Sequence, residues 1–216
     1  MFLRVPTCLV LSFFFLALSG ITDIAESQKT KKQARIEGFR SAKFGTKEKN
    51  VLKAIAKDFK ISKSNVKRKV NPLEKTTTLE IQVPKLFAIG GPAKIFYTMG
   101  YKSQKLMTVN IVWGQSIDKK VDPQTVIDAA NFLRNHFVKK EYKKEGFLAN
   151  SRLDDATTIV FRGKDKKNRM ALLVLSFSKK EKNEDAQNAT KNISLRLSYM
   201  VDPKNPDIYT IKENDF

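Results

Sequence analysis

Residues 93–113, AKIFYTMGYKSQKLMTVNIVW, decide how this chain folds. Ile95, Tyr97, Met99 and Tyr101 fall on one side of an extended segment. Met107, Val109, Ile111 and Trp113 fall on one side of the next. A period of two in both segments marks strands with one buried face. Lys102-Ser103-Gln104 is short enough to join them as a hairpin. An antiparallel sheet is the starting point.

Upstream, Thr76 to Val83 alternates in the same way, with Leu79, Ile81 and Val83 opposed to Glu80 and Gln82. Asn65 to Val70 reads as a weaker, basic strand. Before it, Thr46 to Phe59 carries a helical stripe of Val51, Leu52, Ile55, Ala56 and Phe59, with Thr46 expected as N-cap. Pro84 and Gly90-Gly91-Pro92 punctuate the strands. Downstream, Asp122-Pro123 pairs a capping residue with proline at the first helical position. Val126, Ile127, Ala130, Leu133 and Phe137 then form a stripe up to about Lys140. Thr157 to Gly163 and Arg169 to Ser178 read as a hairpin around Asp165-Lys166-Lys167-Asn168. A charged loop, 179–191, precedes a strictly alternating strand from Asn192 to Val201.

The expected order is α-β-β-β-β-α-β-β-β. That predicts an α+β fold: an antiparallel sheet built from hairpins, with two helices on one face. The plan occurs twice, suggesting half-repeats over 39–113 and 122–201 within a single domain, 39–201. No linker of Pro, Gly or Ser divides Trp113 from Asp122. Residues 20–38 read as a flexible basic tail and 202–216 as an extended one.

The first 19 residues read as an export signal. Arg4 gives the positive start, Leu9 to Leu18 the short apolar core, and Ala17-Leu18-Ser19 the small residues of a cleavage site. An uncleaved signal-anchor is the alternative, but Gly20, Thr22, Asp23 and Glu26 stop the apolar run short of the ~20 residues a span needs. Cleavage would remove Cys8, the only cysteine, leaving 197 residues held by their core alone. A secreted or periplasmic bacterial protein, without a transmembrane span in its mature chain, is the expectation.

Charge is the second strong feature. Loss of Arg4 changes the formal net charge from +19 to +18. Such a field favours anionic partners, whether lipid headgroups, lipopolysaccharide or acidic polysaccharide, with a protein partner as the other option. Lysines number 32 and arginines 9, a balance of hydrated point charges over planar forks. Two clusters stand out as candidate anion-binding residues: Lys67, Arg68 and Lys69 on the basic strand, and Lys139, Lys140, Lys143 and Lys144 after the second helix. Together they would make one surface. The alternative role of the first cluster is to block edge-to-edge pairing.

Catalytic chemistry is narrowed by elimination. With one histidine, His136, and no mature cysteine, metal sites needing several His or Cys ligands are excluded within one chain. His136 lies on the flank of the second helix, about 100° from its apolar stripe. Gly90-Gly91-Pro92-Ala93-Lys94 opens a strand rather than a helix, so it reads as a turn and not a phosphate loop. Asp154-Asp155 reads as a turn rather than an acid–base pair. Phe96, Tyr97 and Tyr101 lie near lysines, but core packing explains them better than base stacking. No catalytic, cofactor-binding or metal-ligating residue is assigned, and no cofactor is expected. A carboxylate hydrolase without cofactor and an extracellular nucleic-acid binder are the rival readings.

The run Gly38-Phe39-Arg40-Ser41-Ala42-Lys43-Phe44-Gly45-Thr46, with the amphipathic helix up to Phe59, resembles the opening of small exported bacterial proteins of uncharacterised function. More distantly, the element order is similar to the periplasmic helix-plus-antiparallel-sheet domains of outer-membrane assembly lipoproteins, and to the beta-lactamase-inhibitor proteins. The chain departs from the first in lacking a lipidated cysteine and from the second in lacking disulfides. The resemblance implies a binding or scaffolding role and transfers no site residues.

The export reading has a direct check. N-terminal sequencing of the exported protein should begin at Gly20, and recovery of the full-length chain in the cytosol would refute the assignment.

Overall fold

A computed structural model describes residues 31–177 and 192–211. The signal-peptide segment, the expected tail up to residue 30, the charged loop 179–191 and the last five residues lie outside the described residues. Two short strands, β1 (Gly38–Phe39) and β2 (Ala42–Lys43), precede helix α1 (Glu48–Phe59). Strands β3 (Lys67–Val70), β4 (Thr77–Val83), β5 (Ala93–Met99) and β6 (Leu106–Gly114) follow. Helix α2 (Pro123–Val138) then leads into β7 (Leu148–Arg152), β8 (Thr157–Lys164), β9 (Met170–Ser176) and β10 (Ser194–Met200).

Eight strands form one antiparallel sheet in the order β3-β4-β5-β6-β10-β9-β8-β7. Each half of the chain contributes a helix and a four-stranded meander, and the last strand of each meander pairs with the other. At the end of this joint Gly114 adopts φ 114°, and a Cβ there would lie 2.2 Å from the Ile193 carbonyl oxygen. Only glycine lets the two strands close so tightly where β6 turns out of the sheet.

Register explains the core. Leu79, Tyr97, Val109, Tyr199 and Ala171 stand side by side across five strands, as do Ile81, Ile95, Ile111, Leu197 and Leu173 in the next row. Most of these side chains are fully buried, and Tyr199 is partly so. Both helices cover this face. From α2, Phe137 stacks on Phe161 at 4.9 Å and meets Tyr199 edge-on. From α1, Phe59 stacks on Phe39, which in turn stacks on Tyr199. The expected α+β architecture, with helices on one face, is the one observed.

Local chemistry sets the helix ends. Asp122 caps α2 as expected, its carboxylate accepting from Thr125 N at 3.2 Å. Thr46 does not cap α1. Its hydroxyl donates instead to the Lys43 carbonyl at 2.7 Å, its own carbonyl accepts from Leu106 N, and the helix starts after Lys47. On α1 the buried set is Val51, Ala54 and Ile55, while Ala56 is exposed, because the stripe follows i, i+3, i+4 from Val51 rather than i+4 from Leu52. Strand β7 was not expected, since Leu148-Ala149-Asn150-Ser151-Arg152 has no apolar alternation. It is recruited as an edge by β8.

The segment before Phe39 corrects the expected tail. Ala34 and Ile36 are buried, and Ala34 N donates to the Glu141 carbonyl at 2.8 Å. Asp165, itself only 4% exposed, accepts from Ile36 N at 3.0 Å, Lys167 N at 2.9 Å and Arg169 N at 3.0 Å. Arg169 completes the brace by donating to the Ile36 carbonyl. After β10 the chain is extended but also anchored: the Asp207 carboxylate accepts from Lys102 N and Ser103 N, and Tyr209 N donates to the Glu74 carbonyl.

Asp165→Ala should orphan three N–H groups and cost about 3 kcal/mol in urea unfolding, at roughly 1 kcal/mol for each lost bond. Limited proteolysis should then cut within residues 31–36. An unchanged midpoint would show that the brace is not structural.

Candidate functional site on the open face of the sheet

Side chains that alternate with the core rows form the second face of the sheet, which no helix covers among the described residues. One row runs Gln82, Lys94, Val112, Arg196, Val174 and Ile159. The next runs Glu80, Phe96, Asn110, Ser198, Leu172 and Arg162. A third runs Thr78, Thr98, Thr108, Met200, Met170 and Lys164. With Lys67 and Lys69 on β3, opposite Glu80 and Thr78, six cations occupy this face. They are spread across the sheet and separated by half-buried apolar side chains.

Glu80 organises the cationic end. Its carboxylate is 7% exposed, accepts from Lys69 Nζ at 2.8 Å, and lies 3.7 Å from Lys94 Nζ. The hydrogen bond from Lys69 is the main cause that holds the acid below its ordinary value of 4.5. Burial opposes this, and the charges of Lys69, Lys94 and Lys67 assist it. One acid thus fixes two lysines from different strands. On the other half of the face, Arg162 Nε donates to the Gly146 carbonyl at 2.8 Å, while Lys164 lies 3.8 Å from the Glu145 carboxylate. Arg196 is exposed and carries no ion pair among the described residues.

The two clusters singled out in the sequence do not form one surface. Strand β3 is one edge of the sheet, whereas Lys143 N bonds to the Lys164 carbonyl beside the opposite edge. At about 4.8 Å per strand spacing, six spacings separate β3 from β8 by roughly 30 Å. The first cluster is also divided within itself. Arg68 stands opposite Leu79 on the helix-covered side and bonds to Glu48 of α1 at 3.3 Å, so strand alternation leaves only Lys67 and Lys69 on the open face. Of the second cluster, Lys139 is the C-cap of α2, Lys140 N bonds to the Phe137 carbonyl, and Lys143 Nζ bonds to Asn168 Oδ1. Lys144 is exposed in the following turn, where its carbonyl accepts from Phe147 N.

Other singled-out residues find ordinary places. His136 is exposed on α2, and partial desolvation together with Lys140 and Lys139 holds it below 6.5. Asp154 and Asp155 sit in the turn between β7 and β8, where Asp154 Oδ1 accepts from Ala156 N and Asp155 accepts from Arg152. Tyr97 is fully buried, as core packing requires, but Phe96 faces the open side and Tyr101 meets Tyr209 edge-on at the sheet end. Lys94, Arg162, Lys164 and Arg196 carried no local signal as a set. Each is one polar position in a separate strand, and only the strand order aligns them.

No family model, curated protein or solved structure matches this chain. Function is therefore read from the chain's own side chains.

Glu80 offers a test with a defined sign. Because its folded pKa lies below 4.5, its stabilisation is complete above that pH and is lost as pH falls through the lower folded value. Glu80→Gln should cost about 1 kcal/mol at neutral pH. The gap from the unmodified protein should close below pH 4.5 in a urea–pH series. A gap that persisted in acid would assign the effect to packing.

Proposed function

We propose that this protein is an exported, non-catalytic binding module that docks through the open face of its sheet onto an anionic envelope membrane, with acidic lipid headgroups as partner. The observation that carries this reading is the open face itself. Its cations extend over roughly 30 Å of sheet rather than converging in a cleft, which suits an extended anionic surface. Lysine dominates the protein's charge, and compact ammonium groups near an anionic leaflet contribute about 1 kcal/mol each. Phe96, Val112, Leu172 and Met200 lie between the cations and supply apolar contact at a lipid interface.

The same face supports the rival readings less well. Phe96 is the one aromatic ring in its three rows, whereas single-strand binders present a succession of stacking rings. Asp154 and Asp155 belong to a hairpin turn, a poor setting for paired acid–base chemistry. The export signal read at residues 1–19 gives the module access to an envelope surface.

Vesicle co-sedimentation tests the proposal. Phosphatidylcholine vesicles doped with phosphatidylglycerol should bind the protein and release it as salt rises. Lys94→Gln together with Arg196→Gln should weaken binding by roughly 30-fold. Equal binding to neutral vesicles, or an unchanged double variant, would refute docking through this face. Tighter binding to a nucleic-acid homopolymer than to the vesicles would favour the nucleic-acid reading instead.

A further inference from the structure

At the end of the open face, Lys164, Lys167 and Lys204 line a cavity of about 420 Å³ with Glu145, Asn168 and Asn205. Its size falls within the range of small-molecule sites. We propose that this cavity is a phosphate-monoester site, an inference that rests on the anionic-membrane reading and names the headgroup chemistry it would select.

Lys167, Asn168, Lys204 and Asn205 are exposed at the cavity and Lys164 is half-buried. Lys164 is only 15% exposed, and its one acidic contact among the described residues, Glu145, is 3.8 Å away and 78% exposed. With so loose a partner, the Lys164 ammonium has capacity for a stronger anion. The other acid in the wall, Asp202, is engaged by its own loop: it accepts from Lys204 N and Asn205 N at 3.1 Å, and from the Asn205 side chain. Those bonds also set the backbone that carries Lys204. Across the cavity, the buried Asp165 pins the turn bearing Lys167 and Asn168 through Lys167 N and Arg169 N. Lys143 occupies Asn168 Oδ1, which leaves the Asn168 amide nitrogen as the donor end. Three ammonium groups and an amide, carried by the end of β8, the β8–β9 turn and the loop after β10, match the several acceptor oxygens of a phosphate monoester better than the two of a carboxylate.

The cavity also adjoins the apolar part of the face. Lys164 shares its row with Met170 and Met200, and Leu172 lies in the next row. A phosphate held at Lys164 could therefore be free in solution or borne by a lipid whose glycerol end lies against those methionines.

Isothermal titration of the full chain with glycerol 3-phosphate tests the shared chemistry, with sulfate and acetate as competitors. Saturable binding at one site per chain is expected, with a Kd tighter than about 1 mM. Lys164→Met and Lys204→Ala should each weaken it by about tenfold or more, the effect of removing one charge-assisted hydrogen bond. Lys57→Met, in the last turn of α1 and outside the cavity lining, should leave it unchanged, and matched melting curves show that each variant folds. A second arm compares vesicles containing phosphatidic acid with vesicles matched in surface charge by phosphatidylglycerol. A Lys164-dependent preference for the monoester lipid assigns the site to a headgroup, and solution binding without that preference assigns it to a free phosphate. Both results support the site. Absence of saturable binding in both arms, or binding indifferent to Lys164→Met and Lys204→Ala, overturns it. Charge-dependent vesicle binding with no monoester preference and no glycerol 3-phosphate binding would overturn the cavity alone, leaving the surface reading in place. Glycerol 3-phosphate binding with no vesicle binding would do the reverse.

Discussion

Pairing between β6 and β10 joins two four-stranded meanders that would otherwise each end in an unpaired edge. The core side of the joint is dry: Ile111, Trp113, Leu195 and Leu197 are fully buried there. Because the ladder is antiparallel and unbroken, side chains of both halves stay in phase across it. A one-residue slip would exchange the faces, turning Arg196 into the core and Leu197 out of it. The continuous apolar layer under the helices and the cation-bearing layer on the other side are thus two readings of a single register.

Much of the fold was legible because burial imposes a period. Strands β4, β5, β6 and β10 alternate strongly, and α2 declares its start through Asp122-Pro123. Two failures share a cause: they are set by partners distant in sequence. Strand β7 owes its extended form to β8, and the docking of Ile36 depends on a carboxylate in another half of the chain. Thr46 had the right residue type for a cap, but its hydroxyl found the Lys43 carbonyl first, held near by the turn after β2.

The candidate site was far less legible than the fold. Runs of consecutive basic residues are conspicuous in a sequence, yet in a strand they are divided between two faces, as Lys67, Arg68 and Lys69 are. Lys67 and Lys69 lie on an edge strand whose four residues are all exposed, where lysine also discourages pairing with another chain. A surface on a sheet is assembled across strands instead, from residues such as Lys94 and Arg196 that stand two spacings apart with Val112 between them.

The Asp165 brace has a consequence for the order of assembly. Ile36 is held by groups 129 and 133 positions further along the chain. A chain delivered from its N-terminus makes residues 31–36 early, but nothing exists to receive them until the β8–β9 turn has formed. This early segment is therefore among the last to dock, and the fold as a whole closes late, as contacts of such long sequence separation require.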